Sequence, residues 1–439
     1  MRRRARKGGG RQIEVTIKTI GTRGDGCGAL DGRPVFVPFT VPGDRVRARV
    51  TGEHAGGVRA EAMELLAEGP HRAPPPCPHF GPCGGCALQH LDEAYYESWK
   101  QALVSRALAQ RGLADATVLP LRRVPSHSRR RLVLAAAKTD GRLRLGLHGR
   151  ASHAVIDIET CLLVTPGLLA LLPPVRTALD VLLADGGKAE ITASETDGGL
   201  DVLIRSDAAP GLAARQALAE LARTADLARL SWGPAGAPGE MADSEPIAIR
   251  RPPVLYFGAV AVEPPPGGFL QPTAAGEALL VEAVLAGLPA AVRRVADLYA
   301  GCGTFTFPLA GRCRVHAVEG DGAALAALWT AARRADLAGR VSVEERDLAR
   351  EPLSAAELNA FDGVVFDPPR TGARSQAAAL AESAVPAVVA VSCNPATFAR
   401  DARFLVDGGY ALDEVLPVDQ FPWSGHVEVV GRFTRPSPS

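Results

Sequence analysis

From about residue 254 onward, short apolar runs alternate with helical stretches, and a glycine turn follows the first long run. Residues 292–299 read as a strand, Gly301-Cys-Gly-Thr304 as a tight turn and 305–311 as the start of a helix. A second strand over 315–319 leads into a helix over 322–335, and further strands cover 341–344, 361–366 and 387–392. Parallel strands need crossover connections, so this alternation buries its apolar runs in a mostly parallel sheet with helices on both faces. The expected fold class is α/β, a doubly wound, Rossmann-like sheet. In such a sheet ligands bind outside the carboxyl ends of the strands, so the residues that end each strand are the first candidates for chemistry.

The chain has 439 residues, too many for one ordinary core. Residues 1–10 read as a basic, disordered tail: Arg2, Arg3, Arg4, Arg6 and Lys7 stand there without an acid. Residues 11–68 alternate in strand fashion through Ile13, Val15, Ile17, Val46, Ala48 and Val50, with a proline-set turn at Val41-Pro-Gly-Asp44. Five short strands with basic loops suit an OB-like barrel that binds nucleic acid. Residues 69–250 form a central α+β segment: a proline-rich loop, a helix over 92–111 opened by Asp92, strands over 129–160 and 188–206, and a helix over 212–230. Glycines and prolines over 231–253 mark a boundary, and 251–439 is the doubly wound unit.

The net charge of +1 hides an uneven distribution, because residues 121–150 carry nine Lys and Arg against Asp140 alone. Such a cluster suits a polyanion, and Arg129, Arg130 and Arg131 are the expected contacts. The basic start runs into glycines, not an apolar stretch, and no run approaches the ~18 apolar residues of a membrane span. A cytoplasmic monomer without membrane contact is expected.

Cys77, Cys83 and Cys86 stand as C-x5-C-G-G-C in the proline-rich loop, and Cys161 follows after 74 intervening residues. Three cysteines within ten residues of a loop point to metal or cluster ligation more than to core packing. Zinc sites usually show paired C-x2-C arms; one triplet plus a distant fourth thiolate suits a [4Fe–4S] cluster. Cys27, Cys302 and Cys313 read as small core or turn residues.

At the strand ends, Asp297-Leu-Tyr-Ala-Gly-Cys-Gly303 brings backbone and a helix start close to a ligand. Glu319 ends the next strand, where a carboxylate can bind two ribose hydroxyls. The third glycine of the dinucleotide fingerprint is missing, so S-adenosylmethionine fits better than NAD. Asp347 follows the third strand, with two readings open: a hydrogen bond to adenine, or a helix cap. Asp367-Pro-Pro-Arg370 ends the fourth strand, its prolines holding the carboxylate beside the pocket. Cys393 ends the fifth, in Ser392-Cys-Asn-Pro395, where a thiol is either a nucleophile or an inert half-buried group.

These motifs together resemble the RNA 5-methyluridine (uracil-C5) methyltransferases, and most closely the bacterial branch acting on 23S ribosomal RNA, which carries a TRAM domain and an iron–sulfur cluster. The resemblance rests on Phe36-Val-Pro, Val41-Pro-Gly-Asp, the four cysteines, Gly268-Phe-Leu-Gln271, Asp297–Gly303, Asp367–Arg370, Ser392–Pro395 and Gly425-His-Val-Glu428. It implies a class I S-adenosylmethionine-dependent methyltransferase fold behind a TRAM barrel and an iron–sulfur domain. It implies that Cys77, Cys83, Cys86 and Cys161 hold the cluster, and that Gln271, Tyr299, Thr304, Glu319, Asp347 and Asp367 hold S-adenosylmethionine. Cys393 is implied as nucleophile and Glu428 as general base. Thr304 and Thr273 depart from the pattern, which often has Asn at both places. Asp-Pro-Pro-Arg occurs in the tRNA-acting branch too, but that branch lacks the TRAM and cluster segments, which favours ribosomal RNA.

The implied chemistry is covalent catalysis. A thiolate adds to C6 of uracil, C5 gains the electron density to take the methyl group, a base removes the C5 proton and elimination frees the cysteine. The base must leave its stack to be reached. Two other readings are the same chemistry on a tRNA uridine, and a non-catalytic RNA-binding iron–sulfur protein.

Overall fold

The computed structural model describes residues 10–54, 56–236 and 244–436. Nearly all of the expected basic tail, and part of the boundary at 231–253, lie outside them. The chain divides into two compact units, one of residues 1–102 with 423–425, the other of 103–422 with 426–439.

The first unit is built on a six-stranded sheet. In spatial order its strands are Gln12–Thr16, Arg45–His54, Gly57–Ala67, Arg33–Val37, Gly26–Leu30 and Thr19–Ile20. Inward residues alternate with exposed ones along Gln12–Thr16, so one face supplies the core of Ile13, Val15, Ile17, Val35, Val37, Val46 and Ala48. The expected five short strands become six, two of them long. The extra one, Thr19–Ile20, has two residues, too few to show a period. Asp44 locks the Val41 turn: its buried carboxylate accepts from the Val41 amide at 2.7 Å and the Gly69 amide at 2.8 Å, and it pairs with Arg72. Helix Glu93–Ala109 starts where expected, because Asp92 accepts from the Tyr95 amide at 2.7 Å.

The second unit holds two large sheets and a two-stranded one, Leu255–Phe257 paired with Val260–Val262. The first runs Val155–Asp157, Arg142–His148, Arg131–Thr139, Lys188–Thr196, Gly199–Ser206, Arg229–Pro234, Glu245–Ile249. Helices Leu172–Leu182 and Leu212–Thr224 bury Val175, Leu179, Leu218 and Leu221 in the same core as Ile191, Val202 and Ile204. The helix expected to reach residue 230 stops at Thr224. Asp226 takes a left-handed conformation there (φ 49°), and Arg229–Pro234 then pairs parallel to Gly199–Ser206.

The second sheet carries the doubly wound pattern. Its strands lie in the order Val341–Glu345, Arg314–Glu319, Arg294–Leu298, Gly363–Phe366, Ala387–Ser392, Glu428–Thr434, Ala411–Asp419, Arg122–Arg123. The first five are mutually parallel, and all four residues of Gly363–Phe366 and all six of Ala387–Ser392 are buried, as two-sided covering demands. Glu428–Thr434 then inserts antiparallel between Ala387–Ser392 and Ala411–Asp419. Glu428 thus lies on an internal strand, and its side chain is buried. Among the described residues, no helix is long and apolar enough to cross a membrane.

Candidate active site

Tyr299, Glu319, Asp347, Asp367 and Cys393 sit at or just past the ends of parallel strands of this sheet, Glu428 opens its antiparallel strand, and Gln271 lies just ahead of helix Ala274–Gly287. Register fixes the central pair: Val391 faces Val430 and Ser392 faces Val429, so one step further Cys393 and Glu428 fall opposite each other. Asn394 caps helix Pro395–Asp407 by accepting from the Ala396 amide at 3.1 Å. Its side-chain amide donates to the Arg370 carbonyl at 3.2 Å. The Cys393 turn and the Asp-Pro-Pro-Arg turn are thus tied together, which brings Asp367 and Arg370 to the thiol.

The electrostatics of this cluster are strongly perturbed. Burial, then the charges of Glu428 and Asp367, push the Cys393 thiol up to about 11, against the opposing pull of Arg370. Burial also raises Glu428 and Asp367 well above the usual carboxylate range, and the charge of Asp367 adds to the effect on Glu428. Two carboxyl groups that face one another away from water do not both ionise readily. Opposing this, Gln271 donates to Asp367 at 3.0 Å, and a hydrogen bond from Gln420 together with Arg370 favours ionised Glu428. Neither the Cys393 thiol nor the two carboxyl groups beside it ionises readily in this setting. Such a site can take up and release a proton within the cluster when substrate enters.

The glycine turn lies at the neighbouring strand ends. Gly301 has φ 55°, and a Cβ there would meet nothing within 4 Å, so open space lies over its backbone. Gly303 has φ 102°, and a Cβ would lie 2.5 Å from the Phe307 ring. Glu319 accepts from the amides of Gly301 and Asp321, both at 2.8 Å, which aims its carboxylate along the turn. Burial pushes Tyr299 up to about 12, helped by the charges of Asp401, Asp347 and Glu319. Asp297, fully buried below the turn, accepts from the Thr306 hydroxyl at 2.6 Å, while its Oδ1 has no hydrogen-bond partner. Burial, ahead of the charges of Asp367 and Glu319, pushes it up to about 7. An open, glycine-lined cradle ringed by acids fits a cationic nucleoside such as S-adenosylmethionine. Tyr299, Thr304, Glu319, Asp347 and Gln271 would hold it, and when bound it supplies an electrophilic methyl group.

With this geometry in place, the comparisons with known proteins become decisive. The family model for tRNA (uracil-5-)-methyltransferases matches residues 260–434, which include Cys393, Asp367 and Glu428, and a TRAM domain model matches residues 6–63. An RNA methyltransferase of Brucella suis biovar 1 (strain 1330) is 43% identical over 422 residues, 96% of this chain and 98% of that protein. The 23S rRNA (uracil(1939)-C(5))-methyltransferase RlmD of Chromohalobacter salexigens is 35% identical, covering 93% of this chain and 86% of that one. The chain belongs to the RNA (uracil-5-)-methyltransferase family. Its fold is that of the crystal structure of the Pyrococcus abyssi tRNA (uracil-54, C5)-methyltransferase in complex with S-adenosyl-L-homocysteine (TM-score 0.72, 22% identity, 96% of this chain and 100% of that one). The protein is an S-adenosylmethionine-dependent RNA uracil-C5 methyltransferase with an N-terminal TRAM domain.

One expectation for this methyltransferase needs correction. Arg130 and Arg131 do not present free cations. Arg130 is buried, pairs with Glu277 at 2.5 Å and donates to the Gln271 carbonyl at 3.2 Å; Arg131 donates to the carbonyls of Gly267 and Gly268, both at 3.3 Å. Both arginines hold the segment leading into Gln271, a long-range role that local charge density cannot distinguish from a nucleic-acid contact. Cys77, Cys83 and Cys86 share one half-buried loop of the first unit, and the Gly85 amide donates to the Cys83 sulfur at 3.4 Å, while Cys161 belongs to the second unit. Among the described residues no three His, Cys, Asp or Glu side chains are gathered to hold a metal ion.

Asp347 opens a turn, not a helix: its exposed carboxylate accepts from the Ala349 amide at 3.0 Å. Thr273, where the family often has Asn, is a buried cap that accepts from the Gly276 amide at 2.9 Å. Asp297, Arg370 and Gln420 join the site without having been singled out as site residues. Asp297 and Arg370 stood inside recognised motifs, so a strand-end criterion applied residue by residue could have found them. For Gln420 no sequence signal existed.

Proposed function

We propose that this enzyme methylates C5 of a uridine in 23S ribosomal RNA through a covalent adduct between Cys393 and C6 of the base. The observation that carries the reading is the strand register that sets Cys393 opposite Glu428, with Asp367 close enough to perturb both. A thiol so strongly protonated attacks only once its proton is taken, and the adjacent carboxyl pair is the local acceptor. As sulfur bonds to C6, the C5–C6 electrons move into the ring to form an enolate, which is nucleophilic at C5. After C5 carries the methyl group, Glu428 takes the C5 proton, the C5–C6 double bond re-forms and the thiolate leaves. Asp367 and Gln271 lie where the uracil edge is read.

The choice of 23S ribosomal RNA is supported by the whole-chain likeness to the Chromohalobacter enzyme, which spans the TRAM segment as well as the catalytic one. The domain division expected from the sequence and the [4Fe–4S] cluster on Cys77, Cys83, Cys86 and Cys161 belong to this same reading. Iron and sulfide analysis of anaerobically purified protein tests the cluster; metal-free protein with full activity would remove it.

Labelled methyl transfer to ribosomal and transfer RNA transcripts tests the target. Wild-type enzyme should label C5 of one ribosomal uridine, and Cys393→Ala should label none while still binding S-adenosylmethionine. Turnover by that variant would refute the adduct; preferential labelling of transfer RNA would reassign the substrate.

A further inference from the structure

We propose that Gln420 is a positioning residue of the reaction: its buried side-chain amide holds the base Glu428 and, through Gln271, Asp367 in one donor-to-acceptor chain, and Gly276 is kept without a side chain to make room for it.

The geometry is directional. Gln420 Nε2 donates to Gln271 Oε1 at 2.9 Å, and Gln271 Nε2 donates to Asp367 Oδ2 at 3.0 Å. The same Gln420 side chain hydrogen-bonds Glu428. An amide nitrogen carries two hydrogens, so one serves Gln271 and the other Glu428. Both glutamines are buried. The carbonyl end, Gln420 Oε1, is buried without a hydrogen-bond partner. It lies against Gly276, where a Cβ would be 2.3 Å away.

That packing explains the choice of end. A flipped amide would set Oε1 against Gln271 Oε1 and the Glu428 carboxyl, three acceptors together, and would waste the donors on the Gly276 backbone. A buried carbonyl without a partner is unfavourable, and here it goes with both N–H groups facing the reacting cluster. Gly276 lies in helix Ala274–Gly287, where glycine is less favourable than alanine. Its retention there is consistent with the space that Gln420 occupies.

The consequence concerns proton removal, and it rests on the reading of Glu428 as base. The charged and titratable groups facing Glu428 are Asp367, Arg370 and Cys393. Arg130 and Glu277 pair behind Gln271. Of the neutral groups, Gln420 is the donor that favours ionised Glu428. Removing it raises the pH at which Glu428 becomes a base, so the rising limb of the rate–pH profile moves upward. Methyl transfer then outruns deprotonation, and methylated adduct accumulates.

The test uses full-length enzyme carrying Gln420→Met, which keeps length and loses both donors, and Gly276→Ala, which keeps every polar group and crowds Oε1. Glu428→Gln is run in parallel. Turnover of RNA substrate is followed against pH, and protein–RNA adduct is measured on denaturing gels. Both variants are expected to lose on the order of tenfold or more in turnover, with an upward-shifted rising limb and visible adduct. Unshifted profiles without adduct in Gln420→Met and Gly276→Ala, beside adduct accumulation in Glu428→Gln, would overturn the role of Gln420 alone. Normal product release by Glu428→Gln would overturn the base assignment and this inference with it. Should Gln420→Met fail to fold, Gly276→Ala decides by the same two readouts.

Discussion

Gln271 donates its side-chain amide to Asp367 across a gap of 96 positions in sequence, at 3.0 Å. The contact joins a segment ahead of the first helix of the catalytic region to the turn after its fourth parallel strand, and it is the one neutral donor opposing the effect of burial on Asp367. In the proposed function this pair serves both the methyl donor, through Gln271, and the uracil-reacting residues Cys393 and Glu428, through the charge of Asp367. Its loss should therefore affect both substrates.

Gln271→Leu is expected to lower kcat/KM by about two orders of magnitude, the size associated with one preorganised donor at a reacting centre. Steady-state kinetics against both substrates checks this. An effect confined to the KM of S-adenosylmethionine would place Gln271 on the donor side alone.

The protonation state of Cys393 gives a second expectation. A thiol held up at about 11 is alkylated slowly at neutral pH, because only the thiolate reacts. Iodoacetamide labelling of Cys393 in the free enzyme should rise with pH well beyond the range in which an ordinary cysteine levels off. Arg370→Ala removes the charge that opposes the shift, so labelling at a fixed alkaline pH should slow further. Faster labelling of that variant would contradict the electrostatic account.

Glu428 gives a third. Its carboxyl is raised by burial and by Asp367, and a base acts only when deprotonated, so turnover should climb with pH through a value above the ordinary carboxylate range. Asp367→Asn removes the neighbouring charge, lowers the Glu428 pKa and moves that limb to lower pH. Rate–pH profiles of the two proteins decide the sign. An upward move would show that Asp367 does not act on Glu428 as a like charge.

How far the sequence foretold this site depends on where each residue draws its position. Cys393, Glu319 and Asp367 end parallel strands whose apolar runs are unmistakable, and a parallel sheet delivers such ends to one edge. Glu428 was reached only through motif resemblance, since its strand inserts antiparallel between two others and local pattern cannot show that pairing. Arg130 and Arg131 were misread because their partners, Glu277 and the Gly267 and Gly268 carbonyls, lie more than a hundred positions away. Gln420 was missed for the same reason: one buried polar residue after a strand has no period and no spacing. The cysteine triplet shows the converse, a strong spacing signal whose side chains the described loop does not gather.

The buried Asp297 leads to a prediction about stability. Its pKa rises from 3.8 to about 7 in the folded protein, chiefly through burial. Between those two values the native state holds a proton that the unfolded chain has released, so the native state binds more protons and stability falls as pH rises through that window. Below about pH 4 and above about pH 7 the contribution is flat. The greatest effect of this one group is about 4 kcal/mol, from a shift of roughly three pKa units. Asp297→Asn keeps an acceptor for the Thr306 hydroxyl and carries no titration, so its stability should fall less than that of the wild type between pH 5 and pH 7. Denaturant melts of both proteins across that range give the comparison. Parallel curves would mean that Asp297 stays ionised in the fold, held by its position beneath the glycine turn.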